Sequence, residues 1–373
     1  MKKILFISNI TNRISNFSIP SIEASQHMGY EFHMAANLSG FSDENKEYDV
    51  KLHHIDLVRN PFSLANIRAY KQILKLVDEE QFDAIHCNTP IGGVFGRFSG
   101  RKKKIRKVIY TAHGFHFYKG APLKNRVFFK LAELWMAHYT DAILTINQED
   151  FTAAQKFRLK SGGQVYYLPG VGIDVKKFRP VYIDVKEYRD SFSLTEKSIV
   201  LIAVGDLIKR KNYDDSIKAI GLSNNPDLHL LICGVGPELN HLKALTKNLE
   251  LENQIHFLGF RTDIVELLSF SDLFILSSLQ EGLPRVLMEA MASGLPCIVS
   301  KIRGNTDLIE DGIGGYTVKP NDVMGYSNAI NHLTSHKKLR HEMSEINLEA
   351  SKKLDVINIK SKMAEIYFEV LTK

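Results

Sequence analysis

Two glutamates eight positions apart, Glu281 and Glu289, stand in the otherwise apolar run "EGLPRVLMEAMASGLPCI" over 281–298. Val286, Leu287, Met288, Ala290, Met291 and Ala292 leave no polar helix face for a surface carboxylate, so Glu289 needs a partner of its own. Gly282 and Pro284 fit a tight turn that opens a helix, with Pro at its first position. Glu281 then lies in the loop and Glu289 about a turn and a half into the helix. The unbonded backbone N–H groups around 283–286, Pro284 excepted, suit a phosphate, helped by the helix dipole. Carboxylates repel phosphate, so the two glutamates are set for something else. Ribose and sugar hydroxyls fit, because they donate hydrogen bonds to an ionised carboxylate. The competing arrangement pairs Glu289 with an Arg or Lys of the protein and leaves Glu281 as a capping or surface group.

A second phosphate-suited group follows the apolar run "IVLIAV": Gly205, Asp206, then "IKRKN" over 208–212. Lys209, Arg210 and Lys211 could neutralise a diphosphate, although three consecutive side chains cannot all point inward and at least one is solvated. A third stretch is "TAHGFHFYKGAP" over 111–122. His113 and His116 are three apart but lack a third ligand at metal-site spacing, and the chain has no Asp-x-Asp. His113 therefore reads as a hydrogen-bonding group, and neither a metal nor a cofactor is expected. "CGVGPE" (233–238) lacks the third glycine of a dinucleotide fingerprint, "GGVFG" (92–96) is not at the first strand-to-helix turn, and a P-loop is absent, so a nicotinamide dehydrogenase is disfavoured.

These groups all follow short runs rich in β-branched residues, which alternate with longer amphipathic stretches in a βαβ rhythm. In the first half strands are expected at 4–8, 31–36, 84–87, 108–111, 142–146 and 165–168, with helices at 64–80 and 123–139 among those between them. In the second half strands are expected at 199–204, 228–233, 255–259, 273–278 and 297–300. Each half reads as its own parallel α/β sheet wrapped by helices. The expected domains are 1–172 and 198–354, joined by an interdomain linker at 173–197, with a helix at 355–373 that could pack back on the first domain. In open sheets of this kind ligands bind at the carboxyl ends of the strands, where the residues singled out above lie.

A 373-residue chain with 44% apolar and 24% charged residues is of ordinary globular composition, and no run reaches the length of a membrane span. "MKKILFISNI" reads as a first strand rather than a leader, which predicts a cytoplasmic protein. Cys87, Cys233 and Cys297 form no C-x-x-C pair and read as buried free thiols. The net charge of +6 is uneven: up to Gly172 there are 23 Lys and Arg against 15 Asp and Glu, and beyond it 25 against 27. The densest basic run, "RKKKIRK" (101–107), and then Lys119, Lys124, Arg126 and Lys130 form either a solvated surface or a face for an anionic partner.

Taken together, the E-x7-E, the basic loop after the first strand of the second half, "GVGPE" after the next strand and "YTAHGFHFYKGAP" resemble the retaining GT-B glycosyltransferases of glycosyltransferase family 4, over essentially the full length. The last stretch is similar to bacterial enzymes that build capsule, exopolysaccharide or glycan chains on a polyprenyl-diphosphate lipid. The resemblance implies two Rossmann-like domains facing an interdomain cleft. It implies a donor side of Gly205, Arg210, Lys211, Phe260 and Arg261 together with Glu281, Gly282, Leu283, Pro284, Arg285 and Glu289. Glu281 would contact the donor sugar, Glu289 the ribose, Lys211 the diphosphate, and Phe260 and Arg261 the uracil. His113 would approach the transferred sugar, so that His113, Lys211 and Glu281 form the catalytic set. Arg13, Asn16, Phe17, His116 and Lys119 would shape the acceptor side.

Three departures stand out. The family's phosphate arginine is Asp206 here, with Arg210 as a substitute, and the glycine after its lysine is Asn212. The frequent glycine pair after the first strand is replaced by "SNITNRISNFSIP" (8–20). The expected activity is metal-independent, retaining transfer of a sugar, an N-acetylhexosamine or related residue, from a UDP-sugar to a polyprenyl-diphosphate-linked saccharide. It would occur on the anionic inner face of the bacterial cell membrane, without nucleic acid. A GT-B nucleotide-sugar epimerase and a non-catalytic lipid-bound scaffold are the alternatives.

Overall fold

Runs such as Ile199–Val204 are apolar at nearly every position because a parallel strand covered by helices is buried on both faces. The computed structural model describes residues 1–42, 48–61 and 63–373. The described chain divides into two units: Met1–Gly172 with Val356–Lys373, and Ile173–Asp355.

The first unit carries a seven-stranded sheet of β1 (Lys2–Ile10), β2 (Tyr30–Asn37), β3 (Val50–His54), β4 (Ala84–Asn88), β5 (Lys107–Ala112), β6 (Ala142–Thr145) and β7 (Gln164–Tyr167), in the order 3-2-1-4-5-6-7. Every described pairing in it is parallel. Side chains alternate across the sheet with the strand period of two. Leu5, Ile7, Ile85, Cys87, Val108 and Tyr110 share one core, and Ile4, Phe6, Phe32, Met34 and Ile109 the other. Helix Val356–Thr372 closes the second face with Ile359, Met363, Ile366 and Tyr367, beside helix Ile19–His27.

The second unit carries β8 (Ile199–Val204), β9 (Leu228–Cys233), β10 (Ile255–Gly259), β11 (Leu273–Leu276), β12 (Cys297–Ser300) and β13 (Gly315–Val318), all parallel, in the order 10-9-8-11-12-13. Both sheets therefore reverse their winding beside their own first strand, between β1 and β4 and between β8 and β11. Loops leaving the carboxyl ends of those two strands diverge there and open a crevice.

Two features differ from the sequence reading. Residues 173–197 are not a free linker: Ile173, Val175, Phe178 and Leu194 are buried in the second core, and Ile173 N donates to Leu354 O at 3.0 Å. Their apolar residues follow no single period, which hid the burial. Strands β3 and β13 were not anticipated, because β3 ("VKLHH") is an edge strand with exposed polar side chains and β13 has only four residues. The glycines of "GGVFG" lie on helix Pro90–Lys102, where a Cβ on Gly93 would stand 2.4 Å from the Tyr110 ring and one on Gly96 2.3 Å from Cys87 Sγ. They let the helix approach the sheet. The three cysteines are buried and free, and no helix among the described residues is long and apolar enough to cross a membrane.

Candidate functional site

In the second unit, the loop after β8 and the loop after β11 flank the crevice, and charged side chains join them. Lys211 Nζ lies 2.8 Å from Glu281 Oε1, and Arg210 Nη1 lies 3.1 Å from Glu281 Oε2 and donates to Gln280 O at 2.6 Å. A backbone bond from Leu279 N to Arg210 O (2.8 Å) ties the same two loops. The basic residues form one tight helical turn, Lys209–Lys211, and divide by exposure: Lys209 is exposed, Arg210 half-buried, and the side chain of Lys211 is 11% exposed. Asn212 ends the turn with φ +51°, a left-handed conformation that Asn tolerates better than most residues, which explains how it stands in for a glycine. Gly205, at φ +146°, makes room for the lysine, since a Cβ there would lie 3.2 Å from Lys211 Cε. Asp206 is exposed and enters no ion pair among the described residues.

Helix Arg285–Ala292 begins one residue later than expected, with Pro284 as its extended cap. Gly304 packs so closely beneath the turn that a Cβ would meet Gly282 O at 2.3 Å, and the buried Arg303 donates through Nε to Glu281 O at 3.3 Å. Arg303 and Gly304 were missed from sequence; their signal is a position just past the carboxyl end of β12. Glu289 is 8% exposed, and its Oε1 accepts from Arg285 Nε at 2.8 Å, one turn earlier on the helix. Burial raises the Glu289 pKa, while Arg285 and the more distant Lys177 pull it down. The partner is thus a half-exposed cation at the helix start, not one locked in the core. Phe260, 77% exposed, follows β10, and Arg261 is ion-paired through Nε to Asp263 Oδ1 at 2.8 Å. That pair holds the Arg261 pKa up and the Asp263 pKa down.

In the first unit, His113 follows β5 and its Nε2 is bonded to Asn88 Oδ1 at the end of β4. A carbonyl oxygen can only accept, so Nε2 carries the hydrogen and Nδ1 keeps a lone pair for a hydroxyl donor. Burial lowers the His113 pKa to about 4, which keeps the ring neutral near pH 7. The loop that carries it is fastened by the start of helix Gln148–Ala154, where Asp150 Oδ2 accepts from Phe115 N (2.9 Å) and Glu149 Oε1 from Lys119 N (2.6 Å).

The proposed acceptor residues separate in space. Asn16 and Phe17 share a cavity of about 20 Å³ with His113, and the Phe17 ring meets the imidazole edge-on at 5.3 Å. His116 lines a different and far larger cavity and packs on Phe129 at 4.9 Å. Arg13 and Lys119 are exposed and line neither. The basic run 101–107 leads into β5 at the amino-terminal edge of the sheet, opposite His113. Lys103 there pairs with Asp78 at 2.6 Å, and Arg101 lies over the Tyr139 ring.

Two cations clasped on a carboxylate beside a helix N-terminus, with a second buried carboxylate on that helix, can hold a diphosphate and accept hydroxyls. Comparison with known proteins identifies the family. Residues 184–349 match the family "Glycosyl transferases group 1" and residues 3–147 the family "Glycosyl transferase 4-like". The chain is 32% identical over 371 residues to EpsD of Bacillus subtilis (strain 168), a glycosyltransferase by name, covering 98% of this chain and 96% of that protein. The chain belongs to the GT-B glycosyltransferases of family 4. This glycosyltransferase is also 29% identical to the UDP-Gal:alpha-D-GlcNAc-diphosphoundecaprenol alpha-1,3-galactosyltransferase of Escherichia coli, over 84% of its own length and 82% of the relative's. The transferase fold superposes on Anabaena Alr3699/HepE, solved in complex with UDP, with a TM-score of 0.81 at 21% identity, over 99% of this chain and all of that one.

Proposed function

We propose that the glycosyltransferase moves a sugar, an N-acetylhexosamine or a related residue, from a UDP-sugar to a saccharide on a polyprenyl diphosphate, with retention at the anomeric carbon, in capsule or exopolysaccharide synthesis. The observation that carries this reading is the Lys211–Glu281–Arg210 cluster across the crevice between β8 and β11. Names of relatives support it: the Escherichia coli enzyme uses UDP-Gal and a diphosphoundecaprenol-linked sugar.

In this mechanism Glu281 keeps both cations aimed at the crevice before the donor arrives, so little reorganisation is left for the reaction. The donor diphosphate then takes over Lys211 and Arg210, helped by the N–H groups around Leu283 and Arg285 and the turn at Gly282 and Pro284, with Gly205 keeping that space open. Glu281 is released toward the sugar hydroxyls. Glu289 accepts from the ribose hydroxyls, and Phe260 offers its exposed ring to the uracil, with Arg261 steadied by Asp263. The acceptor hydroxyl attacks on the face from which the diphosphate leaves; the new C–O bond forms as the old one breaks, and the departing phosphate takes the hydroxyl proton. His113 positions a sugar hydroxyl through Nδ1, beside Asn16 and Phe17. These cations suffice without a divalent ion, so activity is expected to survive chelation by EDTA.

Calorimetry with UDP, followed by a panel of UDP-sugars offered with a prenyl-linked saccharide, tests the reading. An absence of heat with UDP, or of any acceptor-dependent product, overturns it. The enzyme works as a peripheral protein on anionic lipid at the inner face of the cell membrane. Helix Leu123–Ala137, with Lys124, Arg126 and Lys130 among exposed Leu123, Val127 and Leu131, supports this placement. Flotation with liposomes should depend on acidic lipid.

A further inference from the structure

The first unit has its own crevice, and it is filled differently. Between helix Pro90–Lys102 and helix Leu123–Ala137 lies a cavity of about 720 Å³, within the range of small-molecule sites. One wall is Ile91, Val94 and Phe98, a single face of the first helix; the other is Phe128, Phe129, Ala132, Trp135 and Met136. The Phe98 and Trp135 rings meet edge-on at 5.3 Å, and Phe129 meets His116 at 4.9 Å. From Ile91 to Phe98 the slot runs about 10 Å along the helix axis.

Of the polar lining, Glu133 is held by Arg97 at 2.7 Å, and the rest gathers around Asn9. Asn9 at the end of β1 and Thr89 just after β4 frame the mouth, with His116 and Arg59. Asn9 Oδ1 accepts from Thr89 Oγ1 (2.8 Å) and Gly92 N (2.9 Å), which fixes its amide and leaves the Nδ2 hydrogens without a partner among the described residues. Arg59 is exposed and enters no ion pair among them. The apolar wall continues outward into exposed Leu123, Val127 and Leu131 of the same helix.

We propose that this cavity holds the isoprenoid chain of a prenyl-diphosphate acceptor, with the diphosphate at the Asn9 and Arg59 mouth. A greasy slot ending in hydrogen-bond donors and a cation complements a hydrocarbon that ends in an anion, and the exposed apolar helix face beside it gives the chain a route from a bilayer. The inference rests on the lipid-linked acceptor proposed above and assigns it a site.

Trp135 is the single tryptophan of the chain, so its emission reports on this cavity in the unaltered protein. Titration with farnesyl diphosphate should shift Trp135 emission saturably to the blue, whereas inorganic pyrophosphate should bind at least about tenfold more weakly. Ala132→Phe, which fills the slot from a half-buried position, should weaken farnesyl diphosphate by about tenfold or more with little change in the unfolding midpoint. Unmoved emission, equal binding of pyrophosphate, unchanged affinity in Ala132→Phe, or self-association that this variant abolishes would each overturn the proposal, the last by giving the slot to a second copy of the chain. Transfer assays separate this inference from the broader one. Equal KM values for prenyl-linked and methyl-linked diphosphosaccharides would remove the lipid from the cavity and leave sugar transfer intact. Transfer to neither acceptor would sink the proposed reaction, while the Trp135 titration still decides the cavity.

Discussion

The two sheets reverse their winding at equivalent places, yet the crevice beside β8 and β11 is lined by charge and the one beside β1 and β4 mostly by hydrocarbon. Topology decides where a ligand can sit, and the residues leaving the strands decide which ligand. One inward-facing ion pair from each unit shows the same contrast. In the first, Arg97 is fully buried on helix Pro90–Lys102, bonded to Glu133 at 2.7 and 3.2 Å and lying 3.9 Å over the Tyr110 ring. It fastens the two helices that wall the apolar cavity. In the second, Lys211 reaches Glu281 from a loop and keeps some solvent contact. One pair holds structure; the other, in the proposed function, holds a cation ready for the donor.

Replacing Arg97 by Met breaks the comparison at its strongest point, because Glu133 would be left nearly buried without its counterion. The expected cost is about 3–5 kcal/mol, read from urea unfolding by Trp135 emission, which reports on the first unit. A loss under about 1 kcal/mol would mean that the pair is not what joins these helices.

Lys211→Ala should do the reverse. Turnover should fall by about 10²–10³-fold, as when one donor to a developing negative charge is removed. The unfolding midpoint should barely move, because Arg210 remains on Glu281. Initial rates with saturating donor decide it, and near-wild-type turnover would exclude Lys211 from the chemistry.

Glu289→Gln sharpens the comparison within the second unit. A neutral amide keeps the shape but accepts hydroxyls more weakly, so UDP affinity by calorimetry should drop by about ten- to a hundredfold, the scale of hydrogen bonds to charged groups. A smaller loss of turnover at saturating donor should accompany it. Unchanged affinity would assign Glu289 to Arg285 alone.

What the sequence disclosed follows the same division. Glu281, Lys211 and His113 were singled out because each lies in the loop that follows a strand, and Glu289 because a carboxylate in an apolar helix is conspicuous wherever the chain goes next. Arg97 was not legible, because its partner is 36 positions away, a distance no local pattern spans. The apolar cavity is a void between two helices, and its lining residues read from sequence as ordinary core. The burial of Ile173, Val175 and Phe178 depends on a surface supplied by residues up to Leu354, so composition alone made that stretch look like a linker. The Arg261–Asp263 pair was local enough to be visible, yet which side chain Arg261 would choose depended on the turn after β10.

Acid offers the gentlest way to separate the two units, because their buried titratable groups shift in opposite senses relative to function. In the first unit His86 is buried, with Nδ1 2.6 Å from Tyr367 Oη and Nε2 2.8 Å from Thr111 Oγ1, and burial lowers its pKa from 6.5 to about 3. A folded-state pKa below the unfolded one means that the unfolded chain binds the proton first. The contribution is complete above pH 6.5 and is lost as pH falls toward 3, amounting to about 1 kcal/mol between pH 7 and 5.5. Thermal unfolding followed by Trp135 emission should show that decline, and His86→Gln should make it shallower while His113, also lowered by burial, keeps the remainder. In the second unit burial raises the Glu289 pKa, so the carboxylate proposed for the ribose takes up its proton at a higher pH than a solvated glutamate does. His113, lowered to about 4, stays neutral over the same range. The acid limb should therefore appear in the KM for the donor and not in that for the acceptor. A limb confined to the acceptor would reverse the assignment and make the first unit, rather than the second, the one whose chemistry is set by proton binding.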